Sequence, residues 1–119
     1  MARIRNYETM FIVKSTLPEE EIQAQIELVK SNITKNGGEV IANDDMGSRE
    51  LAYEIQKNKR GYYYVIYFTA PTESIIELER NYNINENILR HMFVKFESKK
   101  EITSWTSMKD DALKKAAKQ

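Results

Sequence analysis

Few side chains in this 119-residue sequence have the type and spacing for bond-making chemistry. His91 is the single histidine and cysteine is absent, so a nucleophile-and-base constellation has one possible centre, and no nucleophile elbow accompanies it. Asp44-Asp45 and Asp110-Asp111 are carboxylate pairs. Paired-acid catalysis needs two carboxyl groups facing one gap, whereas neighbours on a strand point to opposite faces and neighbours in a loop are solvated. The glycines at 37, 38, 47 and 61 form neither a dinucleotide fingerprint nor a phosphate loop ending in Gly-Lys-Ser/Thr. Without thiols there is no disulfide framework and no thiolate metal site. The expectation is a non-enzymatic protein with no cofactor and no metal.

One segment has the chemistry of nucleic-acid contact. Arg60-Gly61-Tyr62-Tyr63-Tyr64-Val65-Ile66-Tyr67 resembles the RNP1 signature of RNA-recognition motifs, whose third-strand aromatics stack on bases. Tyr63 stands where that signature has glycine or alanine, and Met10-Phe11-Ile12 gives a partial echo of the companion motif. A central strand of a mixed sheet is also aromatic and apolar, so Tyr62, Tyr64 and Tyr67 serve equally well as core residues.

The elements that would carry these residues follow from periodicity. Arg5 to Lys14 alternates loosely, with Tyr7, Thr9, Phe11 and Val13 on one side and Met10 and Ile12 on the other, which predicts a central strand. Thr16-Leu17-Pro18-Glu19 fits a capping box, and Ile22, Ile26, Val29 and Ile33 make an amphipathic helix that ends at Asn36-Gly37-Gly38. A second strand starts near Glu39, breaks at Asn43 to Gly47 and resumes from Arg49 to Ile55. Lys57 to Gly61 reads as a turn and Tyr62 to Ala70 as the most strand-prone stretch. A second helix opens at Pro71-Thr72-Glu73, shows Ile75, Leu78 and Tyr82 on one face and closes at Asn83; a last strand runs from about Ile88 to Phe96. Residues 1–97 would form one domain and residues 98–119 a charged C-terminal tail, in which Ile102, Trp105 and Met108 recur every three residues, as in a docking helix or a frayed extension.

The order βαββαβ predicts an α+β, ferredoxin-like split βαβ fold: a four-stranded antiparallel sheet with two helices on one face and the spatial order second, third, first, fourth strand. With strands one and three taken as parallel, one rim would gather Arg3, Arg5, Lys57, Lys59, Arg60, Lys95, Lys99 and Lys100. The other would gather Glu19, Glu20, Glu21, Glu73 and Glu86. Glu8, Glu97 and Glu101 would dilute the basic rim, and Arg90 would stand toward the acidic one. That map matters because the formal net charge is zero, which is unusual for a phosphate-binding protein. Phosphates respond to local charge, since the Debye length at physiological salt is roughly 8 Å. The hydrophobic fraction of 41% is enough for a folded core. No apolar run approaches the roughly 20 residues of a membrane span, and the N-terminus has no signal-peptide pattern; a cytoplasmic location is expected.

Several blocks, in order and over residues 3–97, resemble a known family. Asn6-Tyr7-Glu8-Thr9-Met10, Met46-Gly47-Ser48-Arg49-Glu50-Leu51-Ala52-Tyr53, the stretch from Lys57 to Ala70-Pro71, and Asn87-Ile88-Leu89-Arg90-His91-Met92-Phe93-Val94-Lys95 are similar to those of the bacterial small-subunit ribosomal protein S-six family. Gly-x-Arg-x-Leu-Ala-Tyr is the specific part. Met46 stands where the family often has tryptophan, and Glu54 where it often has proline.

The resemblance implies a structural constituent of the small ribosomal subunit that pairs with ribosomal protein S-eighteen and joins the central domain of small-subunit rRNA at the platform. It points to Arg5, Tyr7, Arg90, His91 and Lys95 as rRNA-contacting candidates, which Arg3 joins from the expected basic rim, and to Arg49, Leu51 and Tyr53 as the partner-binding candidates. Two rivals compete with it. One is an RNA-recognition-motif-like module that binds single strands outside the ribosome. The other is a small-molecule regulatory domain of the same fold, for which the sequence offers no glycine-rich ligand loop.

Overall fold

A computed structural model describes residues 3–117 of the protein. The elements run β1 (Ile4–Lys14), α1 (Glu19–Lys35), β2 (Glu39–Ile55), β3 (Asn58–Pro71), α2 (Ser74–Ile84), β4 (Ile88–Phe96) and α3 (Lys99–Ala117). The sheet order is β2-β3-β1-β4, the expected ferredoxin-like arrangement, with every neighbouring pair antiparallel.

The central pair differs from expectation in direction. β1 and β3 run antiparallel, with Ile4 opposite Pro71 and Lys14 opposite Gly61. The reason lies in the connections: the α1 crossover returns the chain so that β2 runs with β1, and the hairpin after β2 then reverses it. That hairpin turns on Gln56 and Lys57 alone, both with positive φ (47° and 66°), as a two-residue turn matched to strand twist requires. No glycine marks it.

Packing follows the alternation of each strand. Tyr7, Phe11, Val13, Tyr64, Ile66, Phe68, Ala70 and Ile88 face α1 and α2, and Ile22, Ile26, Val29, Ile33, Leu78 and Tyr82 close over them. Ile26 and Ile33 are 1% exposed, so each stabilises the fold by roughly 1.5–3 kcal/mol through burial. Thr9 is polar yet fully buried, and is satisfied by the Tyr82 hydroxyl at 2.8 Å and the Met92 carbonyl at 3.1 Å. The α1 N-terminus carries no capping box: Pro18 is the N-cap and no side chain bonds the orphan amides, because the helix starts at Glu19, leaving Thr16 outside it. Glu19, Glu20 and Glu21 in its first turn complement the helix dipole instead.

The chain beyond Ser98 folds back as α3 onto the sheet face opposite α1 and α2. Its start is a reciprocal capping box, in which the Glu101 amide donates to Ser98 Oγ and the Ser98 amide to Glu101 Oε1, each at 3.1 Å. Trp105 and Ala112 bury against Ala42, Val65, Tyr67 and Phe96, with Met46 and Met108 at the margin. The Trp105 indole donates to the Tyr7 carbonyl at 2.9 Å. Ile102, one turn earlier, is 38% exposed.

α3 covers one half of this second face. Over the other half, the ladder between β2 and β3 lapses from Glu50 to Ile55, and the hairpin curls so that Leu51 packs on Ile12 and Leu89. Gly61 permits that approach, because a Cβ there would stand 2.3 Å from Ile12 Cγ2.

Candidate nucleic-acid interface

The strand directions split the expected basic rim in two. Arg3 and Arg5 open β1 beside the end of β4, where Tyr7 stands opposite Lys95, and Lys99 and Lys100 follow at the start of α3. Lys57, Lys59 and Arg60 lie at the far end, where β1 finishes and β4 begins. The acids divide as well. Glu19, Glu20 and Glu21 follow the end of β1, so they share the end of Lys57 to Arg60, as does Glu86 just before β4. Glu73 shares the end of Arg3, whose carbonyl accepts the Thr72 amide at 2.9 Å. The single polarised border predicted from parallel central strands does not exist in this fold.

At the first end a shallow hollow of about 330 Å³ is lined by Arg3, Ile4, Arg5, Asn6, Phe96, Glu97 and Ile102. Arg5 Nε and Lys95 Nζ both approach the Glu97 carboxylate, at 3.5 and 3.0 Å. The hydrogen bond and charge of Lys95, then of Arg5, hold that carboxyl below its ordinary range. Arg5 and Lys95 are thus brought together as expected, but with a shared counter-charge. Tyr7 is on the strand of Arg5, directly opposite Lys95, and is buried. Its ring is 3% exposed and stacks on Phe68 at 5.4 Å; burial pushes its phenol up, with Lys95 pulling the other way.

At the other end Arg90 and His91 take opposite faces, as consecutive strand residues must. His91 stacks on the Tyr82 ring at 4.7 Å, with Glu79 at 3.8 Å, so its ring packs on the helix face. Arg90 lies on the second face, its guanidinium 5.1 Å from the centre of the Tyr53 ring. Of the partner candidates, Arg49 and Tyr53 are exposed and Leu51 is interior. The Tyr7 and Leu51 side chains are thus both buried in the chain.

The RNP1-like tyrosines have the wrong phase for base stacking. Tyr62 and Tyr64 face the helices, Tyr64 is 7% exposed, and Tyr67 lies under α3 at 6%. The Tyr62 hydroxyl donates to the Asp45 carboxylate at 2.6 Å; burial and that bond push it up to about 12. Asp44 points the other way and holds Lys115 at 2.8 Å, so the paired aspartates face opposite sides of β2. Among the described residues no three His, Cys, Asp or Glu side chains gather to hold a metal ion. No described helix is long and apolar enough to cross a membrane.

The profile of the family described as ribosomal protein S6 matches residues 6–95, which run from β1 to the penultimate residue of β4. This chain belongs to that family. It is similar to the small ribosomal subunit protein bS6 of Nitratiruptor sp., at 50% identity over 93% of this chain and 87% of the relative. It is also similar to the protein of that name from Helicobacter hepaticus, at 59% identity over 92% of this chain and 80% of the relative. Matches of that length extend past residue 98, so the similarity covers part of the segment that forms α3 in this chain. Among solved structures it is similar to the crystal structure of 30S ribosomal protein S6 from Thermotoga maritima, with a TM-score of 0.75 and 37% identity over 78% of this chain and 88% of that one. Membership makes the chain a small-subunit ribosomal protein, and so a component of the cytoplasmic ribosome.

The interface contains a feature that sequence reasoning missed. Arg90 and Tyr53 come together, although β2 and β4 are opposite edges of the sheet. The curl was not legible in the sequence, because it depends on a lapse in strand pairing.

Proposed function

We propose that this protein binds the central domain of small-subunit rRNA jointly with ribosomal protein S-eighteen and performs no reaction. The observation that carries this reading is the placement of arginines and lysines at strand ends, with Arg3 and Arg5 lining one hollow, Lys95 joined to Arg5 through Glu97, and Arg90 at the far end of the same strand pair. Guanidinium and ammonium groups so placed fix phosphate oxygens in position without reading base sequence. Shape supplies the specificity. The formal charge is zero and Glu97 occupies two of the cations, so the chain alone has little electrostatic attraction for RNA, and a basic partner supplies the rest.

Co-sedimentation with salt-washed small subunits tests the proposal. One copy per subunit, lost when S-eighteen is omitted from reconstitution, is the expected result. Absence from washed subunits, or incorporation indifferent to S-eighteen, would contradict it.

A further inference from the structure

We infer that the seam between α1 and α2 is a separate protein-docking surface, and that its occupant is an extended segment of another protein that carries lysine or arginine beside an aliphatic side chain. The seam lies on the face of the sheet away from α3. It uses none of the residues assigned to rRNA or to S-eighteen, so it stands apart from the RNA-binding reading.

The patterning of the helices makes the seam hollow. On α1 the buried stripe Ile22, Ile26, Val29 and Ile33 is shadowed one residue behind by an outward stripe of the same spacing, Glu21, Gln25, Leu28 and Asn32. α2 contributes Asn81 and Ile84, one helical turn apart. Gln25, Leu28, Asn32, Asn81 and Ile84, with the loop that follows α2, line a hollow of about 470 Å³. Leu28 is 45% exposed and Ile84 72%. Either alone would be an ordinary surface residue; lining one concavity, they give it an apolar wall.

The polar groups of the hollow suit a peptide backbone. The Asn85 side chain donates to Gln25 Oε1 at 2.6 Å and its Oδ1 accepts the Asn87 backbone N–H at 3.0 Å, which fixes the loop end. Asn32, Asn81 and Asn87 are half-buried, and among the described residues their carboxamides make no hydrogen bond. Each carboxamide both donates and accepts, as an extended chain passing over it requires.

Charge selects the occupant. α1 has four glutamates and two lysines, and residues 73–86 have four glutamates and one arginine. Lys30 and Arg80 already pair with Glu27 and Glu77. Glu86 lines the hollow, Glu21 stands one turn before Gln25, and no described lysine or arginine lines it. Lys35 lies beyond Asn32, at the other end of α1. A surface of this sign repels a polyanion, which disfavours RNA, and a second copy meeting it face to face would oppose like charges. A cationic segment fits, with its charge at Glu21 and Glu86 and its aliphatic side chain between Leu28 and Ile84.

The test titrates the full isotope-labelled chain with an end-blocked hexapeptide of alternating lysine and leucine, read by amide NMR shifts in dilute and in moderate salt. Shifts should be confined to residues 25–32 and 81–87, and a matched glutamate and leucine peptide should give none. Leu28→Ser with Ile84→Ser should weaken binding on the order of tenfold. Glu21→Gln with Glu86→Gln should weaken it in dilute salt and remove its salt dependence. All four side chains are exposed, and thermal unfolding establishes that each double variant is folded. Both should associate with S-eighteen as wild type does. Shifts spread over the whole surface, an equal response to the glutamate peptide, or unchanged affinity in both double variants would overturn the inference. So would the same shifts produced by a central-domain rRNA fragment or by raising the protein concentration alone, which would make the seam an RNA surface or a contact between copies. Loss of S-eighteen association in either double variant would make it the S-eighteen interface and overturn the inference as well.

Discussion

Glu97 holds Arg5 and Lys95 at once, and its carboxyl is depressed chiefly by the hydrogen bond from Lys95. A group whose folded pKa lies below its unfolded value stabilises the fold above the ordinary carboxylate range, and that contribution disappears as pH falls through the folded value. The group is fully exposed, so the effect on stability is small. Its effect on binding should be larger: Glu97→Gln releases two cations, and rRNA affinity at fixed salt should rise, whereas an unchanged affinity in a filter-binding titration would mean that this end does not face RNA. Trp105 is the opposite kind of residue. It is 6% exposed and satisfies the Tyr7 carbonyl, so Trp105→Ala should cost about 3–5 kcal/mol in a urea titration followed by circular dichroism. Trp105→Phe retains much of the packing and leaves a buried carbonyl without its donor, for about 1–3 kcal/mol. If both substitutions cost less than about 0.5 kcal/mol, α3 is not docked in solution.

The hairpin of β2 and β3 turns without a glycine and curls where its ladder lapses. Gly61→Ala should destabilise the protein by about 1–3 kcal/mol, because the new methyl collides with Ile12 on a face that the curled strand already covers. Adding Ile12→Val, which removes the terminal methyl of the longer branch and can let the side chain turn, should recover part of that loss; a double variant no better than Gly61→Ala would place the strain elsewhere. The α1 periodicity of Ile22, Ile26, Val29 and Ile33 was readable because burial on one helix face leaves a spacing of three and four, and all four are buried. The bounds of β4 were readable from its β-branched and aromatic run. Strand direction was not readable: alternation reports which face a side chain takes and is silent about which way the strand runs. The turn at Gln56 and Lys57 was hidden by the absence of glycine at either positive-φ position. The α3 capping box at Ser98 and Glu101 has the same spacing as Thr16 and Glu19, yet only Ser98 and Glu101 bond reciprocally, so spacing alone does not identify a cap.

For the molecule as a whole, neutrality and antiparallel central strands together decide how charge is displayed. Two cationic ends stand roughly the length of a strand apart, one offset by Glu97 and one carrying the curled hairpin, in place of a single basic border. The closeness of Arg5 and Lys95 was therefore legible, since both bond Glu97, and the contact of Arg90 with Tyr53 across the sheet was not. A neutral body of this kind is expected to need a basic partner to hold a polyanion. The most direct measurement is the affinity of a central-domain rRNA fragment in moderate salt for this chain alone, for S-eighteen alone and for the two together. Tight binding by the pair and weak binding by the chain alone is the predicted result; equal affinity with and without S-eighteen would contradict it.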